Sequence, residues 1–519
     1  MKSCWQSLLL SAGLTGLLLF SCFPLLSFWP LSFVTLIPLY FHIRSLPVSR
    51  TFLASWISGA FFYLLLMHWI VFNPAVEGWV RPLLYLGVVL IAAYLSLYFA
   101  LALALAKWLS QKNKLPFWLW AAITLPLLDY LRTSGLLGFP WGSLGYALVP
   151  WTPSIQTAEY TGVYGLSLWV FLLNGLAFLL IEKSHQAGRD NAGVRRWLKS
   201  IRRPLLTMLL VLALPPLWGS WRIKRVEREI SGSPALVTSV IQGNIQQGLR
   251  WDREFQQFNF ESYRRLTNEV SRQKPELVIW PETAIPFYLR YRPEYFIELA
   301  SLSRRSGAMI MTGVPDVRLL PTGGELYFNS AFLFDPARGF TGSYDKSHLV
   351  PFGERFPLKD RIPLLRNVNF GEGEWTPGVD TAVFQTERGA ISCLICFESI
   401  FPEISRKQVQ KGSRLLVNIT NDGWFGRSGA ARQHADMAVL RAVEQRRSLA
   451  RCANSGVSMF VLPTGAVIAP TRLFVQATIL GRLPLLSGRT FYGRHGDLLL
   501  ILLAVLLAGG TGWILLGKK

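Results

Sequence analysis

Seven apolar stretches fill the first 221 residues of this chain and one more closes it, and no other feature limits its fold so severely. A helix that crosses a bilayer needs about 20 mostly apolar residues. The candidates run roughly 5–23, 25–42, 52–73, 83–107, 116–131, 160–182 and 204–221, with the last at 497–516, "DLLLILLAVLLAGGTGWILL". Within lipid a backbone must satisfy its own polar groups, so each stretch reads as a helix. The first pair and the fifth are short or interrupted by proline, which leaves their edges soft. Lys2 ahead of an apolar run fits a secretory signal, and "LFSC" at 19–22 fits a lipoprotein cleavage box, although Phe20 is a poor residue there. A second apolar span follows at once, so an uncleaved helix is expected.

Charge supports the same frame. Lys and Arg number 53 against 31 Asp and Glu, a net +22 that in a soluble protein would suggest nucleic acid. Here the basic residues alternate between loops. Lys2 precedes the first span, Arg44 and Arg50 follow the second, and Lys107, Lys112 and Lys114 follow the fourth. Lys183, Arg189, Arg195, Arg196, Lys199, Arg202 and Arg203 follow the sixth, and Lys518 and Lys519 end the chain. The intervening loops hold little more than Arg81 and Arg132. Positive loops stay in the cytoplasm, so both termini are expected there and residues 222–494 on the far side. Much of the charge is then topology, and no nucleic-acid partner is expected.

Between the seventh and last spans the pattern turns mixed and polar. "ALVTSVIQGNI" (235–245) and "ELVIWPE" (276–282) read as strands around an amphipathic helix at 253–273. "AMIMTGVPD", "LYFNSAFLFD", "GFTGSYDKSHLV", "AVFQTERGAISCLICFES" and "RLLVNITNDGWFG" read as further strands. Residues 432–454 read as a helix and 457–470 as a hairpin. Strands alternating with helices predict an α/β layered domain. The expected divisions are 1–221, 222–494 and 495–519.

Five cysteines, Cys4, Cys22, Cys393, Cys396 and Cys452, are too few for a disulfide scaffold. Cys393 and Cys396 form a C-x-x-C, which admits a redox pair, half a zinc site, or a nucleophile beside a bystander. A redox pair usually opens a helix, whereas this one ends a strand. Strand alternation would turn Cys393 into packing and Cys396 toward a site. Glu282 and Lys346 also sit at or beside strand ends, where α/β domains build their sites. A thiol nucleophile needs a base and a positive group for the developing oxyanion. Cys, Glu and Lys supply those roles with no metal and no cofactor. An ammonium beside the thiol favours thiolate, and a carboxylate desolvated among aromatics makes a better base.

These segments resemble the nitrilase superfamily, whose triad is Glu, Lys and Cys. Seven spans, such a domain and one last span together resemble the apolipoprotein N-acyltransferases, its membrane-embedded branch. "SFWP" (27–30), "GFPWGSLGY" (138–146), "IQGNIQQGLRWD" (241–252), "IWPETAIP" (279–286), "YDKSHLVPFGERFP" (344–357), "CFES" (396–399), "NITNDGWFG" (418–426) and "FYGRHGD" (491–497) carry the likeness over essentially the whole chain. It implies a polytopic α-helical membrane domain of about eight transmembrane helices and an α/β nitrilase-like αββα sandwich. It also implies a bacterial inner-membrane location with the catalytic domain periplasmic. The implied reaction, the last step of lipoprotein maturation, moves an acyl chain from a phospholipid, phosphatidylethanolamine, to the N-terminal diacylglyceryl-cysteine of an apolipoprotein. It runs by a ping-pong route through a thioester on Cys396. Glu282 would be the base and Lys346 would stabilise the oxyanion, helped by backbone N–H near Phe397. Glu354 would orient Lys346, Glu398 matches a carboxylate near the nucleophile, and Trp251, Asn421 and Trp424 match pocket residues. Phe397 stands where many relatives carry Tyr.

A phospholipid leaves the bilayer only at about 0.8 kcal/mol per CH₂, so a mouth at the membrane is expected. The loop 350–376, with Phe352, Phe356, Leu364, Leu365, Phe370 and Trp375, reads as a lid on the lipid. His68, inside the third span, is read either as functional or as bonded to another helix. His434 is read as a satisfied structural histidine, Arg441, Arg446, Arg447 and Arg451 as a solvated or salt-bridged helix face in preference to one that meets lipid phosphate, and Cys452 as core. Two other functions compete: a membrane-tethered amidase that deacylates with water, and a transporter or sensor with a non-catalytic domain. The second would be expected to lack one of Glu282, Lys346 or Cys396, and all three are present. A monomer meets every requirement raised so far.

Overall fold

Leucine, alanine and phenylalanine repeat through the first third of the chain without a polar face, and helices result. The computed structural model describes residues 2–73, 81–135, 137–189, 194–245, 253–321, 323–356, 374–379 and 381–516. The chain divides into two compact units, one of residues 1–71, 76–223 and 495–519, the other of 72–75 and 224–494.

In the first unit, four helical stretches among the described residues are long and apolar enough to cross a membrane: Val48–Phe72, Arg81–Lys112, Ala158–Ala187 and Arg195–Ser231. Trp5–Ser21, Trp29–Ile43 and Leu498–Gly512 are apolar but shorter. The expected span at 25–42 is not one α-helix. It is a 3-10 turn, Trp29–Phe33, followed by the short helix Ile37–Ile43. Pro24, Pro30 and Pro38 explain the break, since each lacks the N–H that one continuous helix would use there, and Pro30 and Pro38 stand in the first turns of the two separate elements. The fifth helix, Phe117–Arg132, has 16 residues and carries Pro126 inside it. Arg132, counted above as a loop charge, is fully buried. It pairs with Asp129 and donates to the carbonyls of Phe139 (2.5 Å) and Trp141 (2.7 Å) and to Ser143 Oγ (3.1 Å), fastening "GFPWGS" to the helix end. His68 Nδ1 meets the carbonyl of Leu65 at 2.5 Å, and its ring meets Phe20 of the first helix edge-on.

The second unit holds two six-stranded sheets. The first contains β1 (Ala235–Gln242), β2 (Leu277–Ile279), β3 (Met309–Leu319), β4 (Glu325–Asp335), β5 (Gly339–Asp345) and β12 (Ala477–Pro484), in the order β12-β1-β2-β3-β4-β5. The second contains β6 (Val383–Thr386), β7 (Gly389–Ile395), β8 (Leu415–Thr420), β9 (Ser448–Ala453), β10 (Met459–Val461) and β11 (Val467–Ile468), in the order β11-β10-β9-β8-β7-β6. The centre of each sheet is parallel, β1-β2-β3 in one and β7-β8-β9 in the other. Leu236, Val240, Ile279 and Met311 of the first pack against Ile391, Cys393, Val417 and Ala450 of the second. Helices Arg253–Ser271 and Pro293–Ser306 cover the outer face of the first sheet, and Pro402–Gln410 and Ala430–Gln445 that of the second. The result is an αββα sandwich.

The expected helix over 432–454 ends early. Arg446 turns left-handed (φ 49°), and Ser448–Ala453 becomes β9, paired with β8 and β10. Leu, Ala and Arg favour a helix locally, but a central position with ladder partners on both edges overrides that preference. The stretch 383–399 is two strands, with a turn at Glu387 and Arg388. β12 gave no strand signal in the sequence. The basic run is neither solvated nor turned to lipid, since Arg441, Arg446, Arg447 and Arg451 are all buried. Arg441 pairs with Glu444 at 2.8 Å, and Arg447 donates to the carbonyls of Ser413, Gln445, Arg446, Ser487 and Gly488. Cys452 is core, but on β9.

Candidate active site

Three strands end together, and each releases one chemical group. Beyond β2 the chain turns through Trp280 and Pro281 to Glu282, with Thr283 left-handed (φ 50°). β3 passes directly under that turn. A Cβ on Gly313 would lie 2.5 Å from Thr283 N and 2.6 Å from Glu282 Cα, so only glycine admits the approach. Lys346 follows the last residue of β5, and Cys396 follows the last residue of β7.

Glu282, Lys346 and Glu354 form one buried charge cluster. Lys346 Nζ lies 2.8 Å from Glu354 Oε1 and 3.5 Å from Glu282 Oε1. Burial alone would lower the ammonium, but the charges of Glu354, Glu282 and Cys396 together raise it above the ordinary lysine range. Asn329 on β4 joins the two carboxylates, its Nδ2 donating to Glu282 at 2.8 Å and to Glu354 at 3.1 Å. The Asn421 N–H donates to the other oxygen of Glu282 at 2.9 Å. The Val350 N–H donates to the other oxygen of Glu354 at 2.9 Å.

Cys396 stands beside this cluster in a left-handed conformation (φ 51°) that a non-glycine residue adopts at a cost of roughly 1–3 kcal/mol. Burial and the charge of Glu282 push its thiol up, while Lys346 and a hydrogen bond with Thr420 pull it down. The alternation expected between Cys393 and Cys396 does not hold. Cys393 is buried between the sheets, and Cys396 packs against that same core, because its positive φ breaks the period of two.

Glu398 is held on both of its oxygens. Its Oε1 accepts from the Tyr344 hydroxyl, the Ser347 N–H and the Ser347 hydroxyl, each at 2.7 Å, and from the His348 N–H at 3.2 Å. Its Oε2 accepts from the Ile395 N–H at 2.8 Å. One fully buried carboxylate therefore bolts the Cys396 turn to the segment that carries Lys346. Burial raises its pKa, and these donors oppose the rise. Phe397 is buried in an aromatic set with Phe401 and His348. Burial and the charge of Lys346 push His348 down to about 4.

Of the expected pocket residues, Asn421 holds Glu282 through its backbone N–H, Trp424 is half-buried on the same turn, and Trp251 lies outside the described residues. The expected lid is described only at 350–356 and 374–376. There Phe352 is exposed, Trp375 is buried, and the Trp375 N–H donates to the Glu354 carbonyl at 3.1 Å. Leu364, Leu365 and Phe370 lie outside the described residues. Sequence reading missed Asn329, Thr420 and Asp422. The signal for Asn329 was a lone amide inside the apolar run "LYFNSAFLFD". Asp422 accepts from Arg451 at 2.8 and 3.0 Å and from Thr420 at 3.1 Å.

Comparison with known proteins adds an independent observation. The sequence pattern of the carbon-nitrogen hydrolases matches residues 238–490, and that of the apolipoprotein N-acyltransferase N-terminal domain matches 15–176. An apolipoprotein N-acyltransferase of Geobacter metallireducens is 36% identical over 495 residues, covering 94% of this chain and 91% of that one. Another, of Chlorobaculum tepidum, is 31% identical over 517 residues, covering 93% and 92%. Among solved structures, an amidase from Nesterenkonia sp. aligns at 18% identity with a TM-score of 0.39, covering 52% of this chain and 96% of that one, too slight a likeness to bear on function.

Proposed function

The chain belongs to the apolipoprotein N-acyltransferase family and is an acyltransferase, and from that premise we propose that it transfers a phospholipid acyl chain by way of a thioester on Cys396. In the first half-reaction Glu282 takes the thiol proton and the sulfur attacks an ester carbonyl of the lipid. Lys346 faces the tetrahedral oxyanion. The carbon–oxygen bond then breaks, and Glu282 returns the proton to the departing glycerol oxygen, leaving a lysophospholipid. In the second, Glu282 takes a proton from the α-amino group of a diacylglyceryl-cysteine. The nitrogen attacks the thioester, and the carbon–sulfur bond breaks. Sulfur recovers a proton from Glu282 and the amide departs. Phosphatidylethanolamine and an apolipoprotein N-terminus are the proposed substrates.

One observation carries the reading: a buried ammonium held between two carboxylates, 2.8 and 3.5 Å away, beside a thiol that feels the charge of both Glu282 and Lys346. This arrangement deprotonates and acylates a thiol without a metal. The proposed setting is the bacterial inner membrane with the catalytic unit periplasmic, supported by the loop charges. Burial of Arg132 against Asp129 removes a charge from the loops that argue the other way.

The test is to incubate the purified protein with chain-labelled phospholipid. Hydroxylamine-sensitive label is expected on Cys396, absent in Cys396→Ser and retained in Cys393→Ser. Absence of label on the wild-type protein defeats the reading. Label lost to water as fast without a lipopeptide acceptor as with one makes the enzyme a hydrolase.

A further inference from the structure

His434, on helix Ala430–Gln445, is fully buried behind the nucleophile. Its Nε2 lies 3.1 Å from the carbonyl oxygen of Cys396 and 3.1 Å from Ser399 Oγ. A carbonyl oxygen only accepts, so Nε2 carries the proton. The Ser399 hydroxyl donates to the same carbonyl at 3.0 Å. On the other side of the ring, Nδ1 lies 3.0 Å from Asp422 Oδ1 and 3.1 Å from Arg451 Nη2. Burial and the charge of Arg451 hold the ring below the ordinary imidazole range.

The ring is locked in turn. Arg451 donates to Asp422 through Nη2, to Asn418 through Nη1 and to the Val457 carbonyl through Nε, so β8 and β9 fix its orientation. Asp422 accepts from Thr420, which hydrogen-bonds the thiol. Asn421, the residue before Asp422, holds Glu282. One buried cluster therefore reaches the nucleophile from its carbonyl side and its sulfur side, and reaches the base as well. The Cys396 backbone needs such a hold, because a non-glycine residue left to itself relaxes out of φ 51°.

We propose that His434 is a positioning residue: its Nε2–H, donated to the Cys396 carbonyl, keeps the nucleophile left-handed and its thiol turned to Glu282 and Lys346. The inference rests on the acyl-enzyme reading for its kinetic test but not for its thiol test, so the two can fail separately.

Gln places an amide N–H where Nε2 stood, Asn falls short of that point, and Leu offers no donor. In the full-length enzyme, His434→Leu and His434→Asn should slow acyl labelling of Cys396 by about a hundredfold, the scale of a misplaced reacting group. His434→Gln should stay within about tenfold of wild type, the worth of one altered hydrogen bond. The pH profile of Cys396 alkylation by iodoacetamide, followed by mass spectrometry of its peptide, should move to higher pH in Leu and Asn and remain in place in Gln. Loss of the hold separates thiol from ammonium, and an ammonium is what favours thiolate. If Leu does not fold, Gln against Asn decides. Equal labelling and coincident alkylation profiles in those two variants overturn the proposal. Alkylation profiles that differ as expected, in an enzyme that takes no acyl label, uphold the positioning role and overturn the reaction instead.

Discussion

Asn329 shows how little of a site need be chemically reactive. Its two N–H groups go to Glu282 and Glu354, the carboxylates that flank Lys346. Without them two buried anions each lose a donor, so Asn329→Ala should slow acyl labelling roughly tenfold to a hundredfold, since a buried partner left unsatisfied costs about 1–3 kcal/mol. Asp422 makes a pH prediction. Burial opposes its ionisation, but Arg451 and His434 hold it down at about 2, against an ordinary value of 3.8. A carboxylate depressed on folding contributes stability that is present above its unfolded pKa and lost as pH falls through the folded one. Acid unfolding of the wild-type enzyme should therefore include a component between about pH 4 and pH 2 that Asp422→Asn lacks; equal slopes in both proteins would remove Asp422 from that account. At this scale the grouping of Glu282, Lys346 and Cys396 was legible, because Glu, Lys and Cys stand at strand ends in a recognisable order. Their supports were not. Asn329, Thr420 and His434 lie far apart in sequence from what they hold, and none has a spacing that announces it.

Elements bring those residues together, and their tolerances can be tested. β3 crosses under the Glu282 turn so closely that Gly313→Ala must push the turn outward. A thermal melt should show a folded domain with acyl labelling reduced about a hundredfold, as expected for a base displaced by a fraction of an ångström or more. Helix Ala430–Gln445 carries a liability in Asp436, whose buried carboxyl is pushed up to about 6 by desolvation against the pull of Arg432. A raised acid contributes stability fully present below its unfolded pKa and lost as pH rises through the folded one. Above about pH 6 the charged form is therefore a burden of order 1–3 kcal/mol. Asp436→Asn should raise the melting temperature at pH 7.5 and lose that advantage near pH 4; a lower melting temperature at pH 7.5 would show that the Arg432 pair outweighs burial. The strands of the inner sheets were legible from their apolar runs. β9 was not, because "SLARCA" carries helix-forming residues into a central position that only its neighbours define. β12 was missed because "ATILGRLP" follows no clean alternation.

At the scale of the molecule the helical and sheet-bearing units were separable on hydropathy alone, whereas the number of spans was not. Prolines cut 25–42 into pieces, and Phe117–Arg132 is short for a bilayer, so composition overstated what single helices do. The proposed orientation rests on the loop charges and is open to direct measurement. With a membrane-impermeant maleimide on spheroplasts, a cysteine at Arg388, a highly exposed position, should be labelled from outside. A cysteine at Lys112 should be labelled only after lysis. The reverse pattern would invert the proposed topology.

The turn 350–356 gives the enzyme an interlock. Glu354 is tied to that turn through the Val350 N–H and is also the nearest counter-charge of Lys346, at 2.8 Å. Swinging the turn outward would draw a carboxylate away from the ammonium in the same motion. Glu398 meanwhile clamps Ser347 and His348 to the Cys396 turn, so the pivot for any such swing falls beyond His348. The same carboxylate thus fixes the turn and balances Lys346, so a change that loosened the one would unbalance the other.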